Sequence, residues 1–474
     1  MDILISRRAL LSSSAASLAV PAAMASSAAA AQAVPTRLLV ERRTIGVDGR
    51  AASVFGIRQP DGTPGVVLDP GQPFSMTVEN RTSEATIIHW HGQTPPFLQD
   101  GAAETGGLLI QPGAIQAYDF PARPGTHWMH SHHGLQEQAL MAAPLIVRTA
   151  ADLKDDAQDV TVLLHDFSFR DPGEVLAAVT GAGKAVPGGA PMPGMAMAPA
   201  AGVQDLNDYD YDAYLANDRT LADPLVIRAA PGDRVRLRLI NGATSTAFWI
   251  DTGALEGTVV AADGNPVHPV TSRRFPLAQG QRLDIMFTIP RDGGVFPVLA
   301  QREGDRRRTG VILASAGTTI RKLADAAEAT VPPLDNSLEA RLAAAVPMPP
   351  GNRAVTHRIA LTGSMMPYVW SLDDRTWADH VPLRAVKGQR VVVEMSNRTR
   401  MAHPMHLHGH HFQVVALDGT ALYGAVRDTV LVPASGSVTV AFDADNPGRW
   451  LFHCHNLFHM ATGMMTELAY DGVA

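Results

Sequence analysis

The amino-acid sequence predicts an all-β protein built of three β-sandwich domains, and three observations carry that expectation. The chain has 474 residues, too many for one ordinary core and suited to about three domains of roughly 150 residues each. Its 41 glycines and 34 prolines exceed average usage together and predict many turns and strand ends. The third observation is a weak internal repeat, in which a glycine-led turn opens an alternating run that closes on asparagine. The copies run from Gly71 to Asn80, from Gly232 to Asn241 and from Gly388 to Asn397. Each alternates apolar with polar residues, the period of a half-buried strand. Successive copies lie about 160 residues apart, which is too long for a solenoid and matches one sandwich domain.

Along the chain, Ser6-Arg7-Arg8-Ala9-Leu10-Leu11 precedes a weakly apolar stretch broken by Ser12, Ser13, Ser14, Ser17 and Pro21. Residues 1–33 therefore resemble a twin-arginine export signal, too short and too polar to span a membrane. Ala25 and Ala33 each end an Ala-x-Ala triplet where cleavage is expected. That signal implies the twin-arginine machinery as a partner and a bacterial periplasm or exterior as the destination. Residues 34–150 form the expected first domain, and the largely polar stretch from Thr149 to Asp156 separates it from the second, 151–316. Residues 317–352 read as a linker, with Pro332-Pro333, Pro349-Pro350 and an Ala-rich pattern expected to form a short helix. The third domain is 353–474. Within the second, residues 180–204 are rich in Gly, Ala, Pro and Met, and Met192, Met195 and Met197 read as part of a low-complexity loop.

Thirty-nine basic against 46 acidic residues leave a net charge of -7, with no electrostatic footprint for nucleic acid or an anionic membrane. A single cysteine excludes an internal disulfide, so stability must come from packing or metal.

Ten of the 18 histidines fall in four short clusters. These are His89-Trp90-His91-Gly92, then His130-Ser131-His132, then His403 with His406-Leu407-His408-Gly409, and finally His453-Cys454-His455 followed by His459 and Met464. Residues i and i+2 of a strand project from one face, so each His-x-His step is expected to present two imidazoles together. Cys454, between two such histidines, is expected to point the other way. A thiolate with two imidazoles and a distant thioether is the ligand set of a blue-copper electron-transfer centre, and Cys454, His403, His459 and Met464 can supply it.

These motifs resemble those of the multicopper oxidases, over the whole mature chain. The resemblance implies three cupredoxin-like Greek-key sandwiches and four copper ions. It assigns His403, Cys454 and His459 to type 1 copper with Met464 axial, and His89 and His406 to type 2. The type 3 pair takes His91, His130, His132, His408, His453 and His455. Single electrons from a reducing substrate then pass through Cys454 to a cluster where dioxygen is reduced to water. Asp100 resembles the family acid that assists proton delivery. Met460 stands where some bacterial members carry a second acid, and Glu137 is a candidate substitute.

The expected activity is laccase-like oxidation of phenols, aromatic amines or Cu(I), with electrons entering at an exposed type 1 histidine edge. The alternative is a copper-sequestering resistance protein with incidental turnover. The acidic run Asp205, Asp208, Asp210 and Asp212 is expected to be a solvated strand edge.

Overall fold

The three repeats become the central strands of three sandwiches: Phe74–Asn80, Arg234–Asn241 and Arg390–Asn397. The structure is a computed structural model that describes residues 35–181, 204–349, 351 and 354–473. The expected export signal and nearly all of the Met-containing loop lie outside them. The turn before each repeat strand needs left-handed backbone, with φ of 81° at Gly71, 87° at Gly232 and 81° at Gly388, a region glycine enters without Cβ strain.

The closing asparagines explain why each strand stops where it does. The amide of Asn80 donates to the carbonyls of Glu84 and Ile110, that of Asn241 to Thr246 and Leu277, and that of Asn397 to Met401 and Val432. Each side-chain oxygen accepts the backbone N–H two residues on, from Thr82, Ala243 and Thr399. Only an amide can donate and accept in this way, and it satisfies buried backbone that the ladder abandons.

Each repeat strand runs parallel to the first long strand of its unit: Thr36–Val47, Gln158–Phe167 and Ala354–Met365 respectively. A second sheet faces each of these. In the first unit its order is Val66–Leu68, Ala142–Val147, Gly125–Ser131, Ile88–His89. In the third it is Leu383–Ala385, Met465–Tyr470, Arg449–Cys454, His403–Leu407, Thr429–Val432. The chain is thus three pairs of packed sheets, an all-β architecture with apolar inner faces. Leu38, Phe74, Val78, Phe120 and Leu145 fill the first core, where Trp90 meets Phe74 and Tyr118 edge-on.

The short helix expected in the Ala-rich segment before the third unit is, among the described residues, the single 3-10 turn Glu339–Arg341. Pro332 and Pro333 interrupt the helical pattern, and the segment instead buries Val331, Leu334, Leu338 and Leu342. Among the described residues no helix is long and apolar enough to cross a membrane.

Candidate metal centre

The four His-x-His steps do not lie within strands; each straddles a strand end. His89, His130, His406 and His453 are in their strands, while His91, His132, His408 and His455 lie just beyond. His89 pairs with His130 across the first unit's second sheet, and His406 with His453 across the third's. The cage forms where these two pairs of strand ends meet. Across that junction His89 stacks on His408 with ring centroids 3.7 Å apart, and His91 on His406 at 3.8 Å.

Every cage imidazole is buried, and the two nitrogens of most rings have different surroundings. One nitrogen faces an oxygen: His89 Nδ1 the Asp100 carbonyl at 3.1 Å, His406 Nδ1 the Asp428 carbonyl at 2.9 Å, His453 Nδ1 the Cys454 carbonyl at 2.9 Å. Carboxylates take four more. His91 Nε2 lies 3.0 Å from Asp428, His130 Nδ1 2.9 Å from Glu137, His132 Nδ1 3.2 Å from Glu104 and His408 Nδ1 2.8 Å from Asp100.

The opposite nitrogens point inward. His91 Nδ1, His130 Nε2, His132 Nε2 and both nitrogens of His455 are buried without any hydrogen-bond partner. His89 Nε2 faces His406 Nε2 at 3.5 Å and His408 Nε2 faces His453 Nε2 at 3.0 Å, spans that two ligands take around one metal ion with bonds of about 2.0 Å. Orphaned buried lone pairs are costly, so the geometry fits metal and little else. Burial, reinforced by neighbouring rings, pushes the titration of His91, His130, His406, His408 and His453 well below the ordinary range, which keeps them in the neutral, ligating form.

On the other face of the strand Arg449–Cys454, the Cys454 sulfur lies 3.7 Å from His403 Nδ1 and 3.5 Å from His459 Nδ1, and those two nitrogens are 3.0 Å apart. The expected reversal at Cys454 is therefore present. Burial pushes the thiol's titration up, so formation of the thiolate here calls for a metal cation. Met464 is fully buried, and its carbonyl accepts the Cys454 N–H. His459 rides on the short helix Leu457–Ala461, capped by the Asn456 side chain, and Trp370 covers its ring at 4.2 Å.

Two expectations fail at this site. Neither His403 nor His459 is exposed, each having 0% of its surface accessible. Asp208, expected on a solvated edge, covers His459: its Oδ1 lies 3.2 Å from His459 Nε2 and accepts the Tyr368 hydroxyl at 2.6 Å, while Oδ2 accepts the Asn456 amide at 2.6 Å. Burial alone would push its carboxyl up, yet the contact with His459 and these hydrogen bonds hold it below the usual range. Its neighbours Asp205 and Asp212 bond Arg400 and Ser168 nearer the surface.

The structure thus brings the ten clustered histidines and Cys454 into two adjoining groups, and adds beside them Glu104, Asp208 and Asp428, to which the sequence assigns no such place. A carboxylate beside a metal-binding histidine has no fixed sequence spacing, so no local signal marked these three. Glu137 does reach the cage, and burial pushes its carboxyl well above the ordinary range. His410 lies beside the cage, its Nδ1 3.1 Å from the His408 carbonyl and its Nε2 2.6 Å from the Tyr470 hydroxyl.

Family models described as multicopper oxidase match residues 40–152, 159–319 and 352–472. A multicopper oxidase of Mycobacterium tuberculosis, MmcO, is 32% identical over 422 residues, covering 84% of this chain and 80% of the relative. The chain belongs to the multicopper oxidases. It is accordingly a copper-dependent oxidoreductase that acts on dioxygen, and its histidine groups are of the kind that hold type 1, 2 and 3 copper. Copper resistance protein A of Escherichia coli is 26% identical to this multicopper oxidase, over 86% of this chain and 88% of that one. Its fold matches a laccase from Botrytis aclada with a TM-score of 0.73 at 22% identity, covering 92% of this chain and 87% of that structure. It also matches Fet3p, a multicopper oxidase that functions in iron import, at TM-score 0.72 and 17% identity, covering 92% and 90%.

Proposed function

We propose that this multicopper oxidase is exported by the twin-arginine route to the periplasm or exterior and oxidises phenols, aromatic amines or Cu(I) one electron at a time, with dioxygen reduced to water. The observation that carries this reading is the position of Cys454, whose sulfur meets His403 and His459 while the histidines on either side of it, His453 and His455, belong to the cage. When bound, copper would supply the one-electron redox chemistry and hold the four electrons, taken singly from the reducing substrate, that dioxygen needs.

The chain's own groups would do the rest. His403, Cys454, His459 and Met464 hold the type 1 ion, His89 and His406 the type 2 ion, and His91, His130, His132, His408, His453 and His455 the type 3 pair. The domains are 34–150, 151–316 and 353–474, with 317–352 between the last two. Asp100, 2.8 Å from His408 Nδ1 and 3.4 Å from His89 Nδ1, is the acid on the cage wall that moves protons toward reduced oxygen. Met464 would add a thioether to the groups that hold the type 1 ion, a donor set that favours a modest potential and thus easily oxidised donors.

Replacing Cys454 with Ser tests the assignment. The intense blue absorption and substrate oxidation should both vanish, and survival of either would refute it. The relatives named for copper resistance support a second reading, copper sequestration. Oxygen uptake driven by a panel of phenols, aromatic amines and Cu(I) separates the two, since sequestration predicts negligible uptake with every donor.

A further inference from the structure

The second pair of sheets contributes no side chain to any candidate metal group among the described residues. Nevertheless it reaches the cage through one turn, Ala278–Arg282. The Arg282 guanidinium is fully buried and grips the Asp428 carboxylate with both arms, Nη1 to Oδ1 at 2.6 Å and Nη2 to Oδ2 at 2.5 Å. The same Asp428 Oδ1 lies 3.0 Å from His91 Nε2, the Asp428 carbonyl lies 2.9 Å from His406 Nδ1, and the Thr429 hydroxyl bridges the two rings at 3.2 and 3.1 Å.

The contacts of this turn extend further. Arg282 also donates to the Thr126 carbonyl at 3.1 Å, on the strand that carries His130. Gly280 lies so close to His455 that a Cβ there would sit 2.7 Å from the ring, and one on Gly92 would sit 2.6 Å from Arg282 Nη2 and 3.0 Å from Asp428. His127 Nδ1 and the clamp together leave no room for a Cβ on the glycine that follows His91, and its φ of 86° is open to glycine alone without strain. Asp263 holds the Arg282 backbone N–H at 2.8 Å and faces Arg427 at 3.2 Å, so the clamp is braced from behind.

We propose that the Ala278–Arg282 turn is the positioning element of the histidine cage, with Arg282 fixing Asp428 and thereby the orientation of His91 and His406. A buried ion pair is poor evidence for stability alone, because well-packed apolar residues can do as well. Here the pair has a geometric task that apolar residues cannot perform. It fixes a carboxylate oxygen 3.0 Å from His91 Nε2, so that the ring presents Nδ1 inward. Rings held in this way typically bind metal about 10–100-fold more tightly than rings without the support.

The proposal rests on the copper assignment above, and the test separates the two. Full-length, copper-loaded wild type and Arg282→Met would be compared by copper content per chain, blue absorption, the type 2 electron paramagnetic resonance signal and extraction by a chelator. We expect Arg282→Met to keep its blue absorption but to lose cage copper about 10–100-fold more readily, with an altered type 2 signal. Unchanged cage retention and signal, with only a lower melting temperature, would overturn the proposal. Should Arg282→Met not fold, Arg282→Lys keeps the charge but lacks the fork. Selective loosening of cage copper in Arg282→Lys supports positioning, whereas wild-type behaviour, or loss of blue and cage copper together, overturns it. A wild type with fewer than four coppers would be a failure of the copper assignment instead, visible before any variant is made.

Discussion

Removing Asp208 should loosen the type 1 site from outside its ligand set. The Asp208 side chain is fully buried and meets three groups: His459 Nε2, the Tyr368 hydroxyl and the Asn456 amide. Asp208→Ala leaves all three without an acceptor in a site that is closed to solvent. At about 1–3 kcal/mol for each buried donor left unpaired, the loss is about 3 kcal/mol at the low end. Asn456 caps the helix that carries His459, so much of that loss falls on the position of a metal ligand. If it does, the site should hold copper roughly 100-fold more weakly, at about 1.4 kcal/mol per tenfold. Asp208→Asn retains one acceptor oxygen but turns an NH2 toward a donor, and should cost about 1–2 kcal/mol. The assay is the disappearance of blue absorption as a copper chelator is titrated, with the melting temperature recorded in parallel. If Asp208→Ala resists the chelator to within threefold of wild type, the hydrogen-bond reasoning is wrong.

Two further expectations follow from other groups. Asp100→Asn removes the proton-carrying carboxyl group beside His408 Nδ1, so dioxygen reduction should slow about 100-fold while reduction of the type 1 site by donor is unchanged. Stopped-flow bleaching without oxygen and recovery with it measure the two steps, and equal recovery rates would remove Asp100 from the mechanism. Glu303 is buried, which pushes its carboxyl from 4.5 to about 7, and it accepts the Leu334 N–H at 2.8 Å. A raised carboxyl contributes stability that is complete below 4.5 and lost as the pH rises through about 7, here about 3 kcal/mol at most. Glu303→Gln should therefore melt higher than wild type above pH 7 and equally below 4.5. A difference that does not vary with pH would show that Glu303 is not neutral in the folded protein.

The residues legible in sequence share one property, a local pattern. The strand Arg390–Asn397 was readable because alternation, a leading glycine and a closing asparagine all lie within ten positions. His89 and His91 were readable because two residues of one type at a two-residue interval are rare by chance. In the Ala-rich stretch before the third unit the helix is held to one 3-10 turn because its helical pattern is local, whereas the burial of Val331 and Leu334 against the sandwiches is not. His459 was expected at the surface because nothing near it in sequence announces a cover; Asp208 lies 251 residues away.

The sequence by itself determined the inventory of imidazole and sulfur donors, since histidines two residues apart and a lone cysteine between two of them are local patterns. Only the tertiary structure decided which carboxylates face those donors and how the second unit braces them. Forty-six acidic residues look alike in sequence, and what sets Asp208 and Asp428 apart from most of them is desolvation beside a partner contributed by another part of the chain.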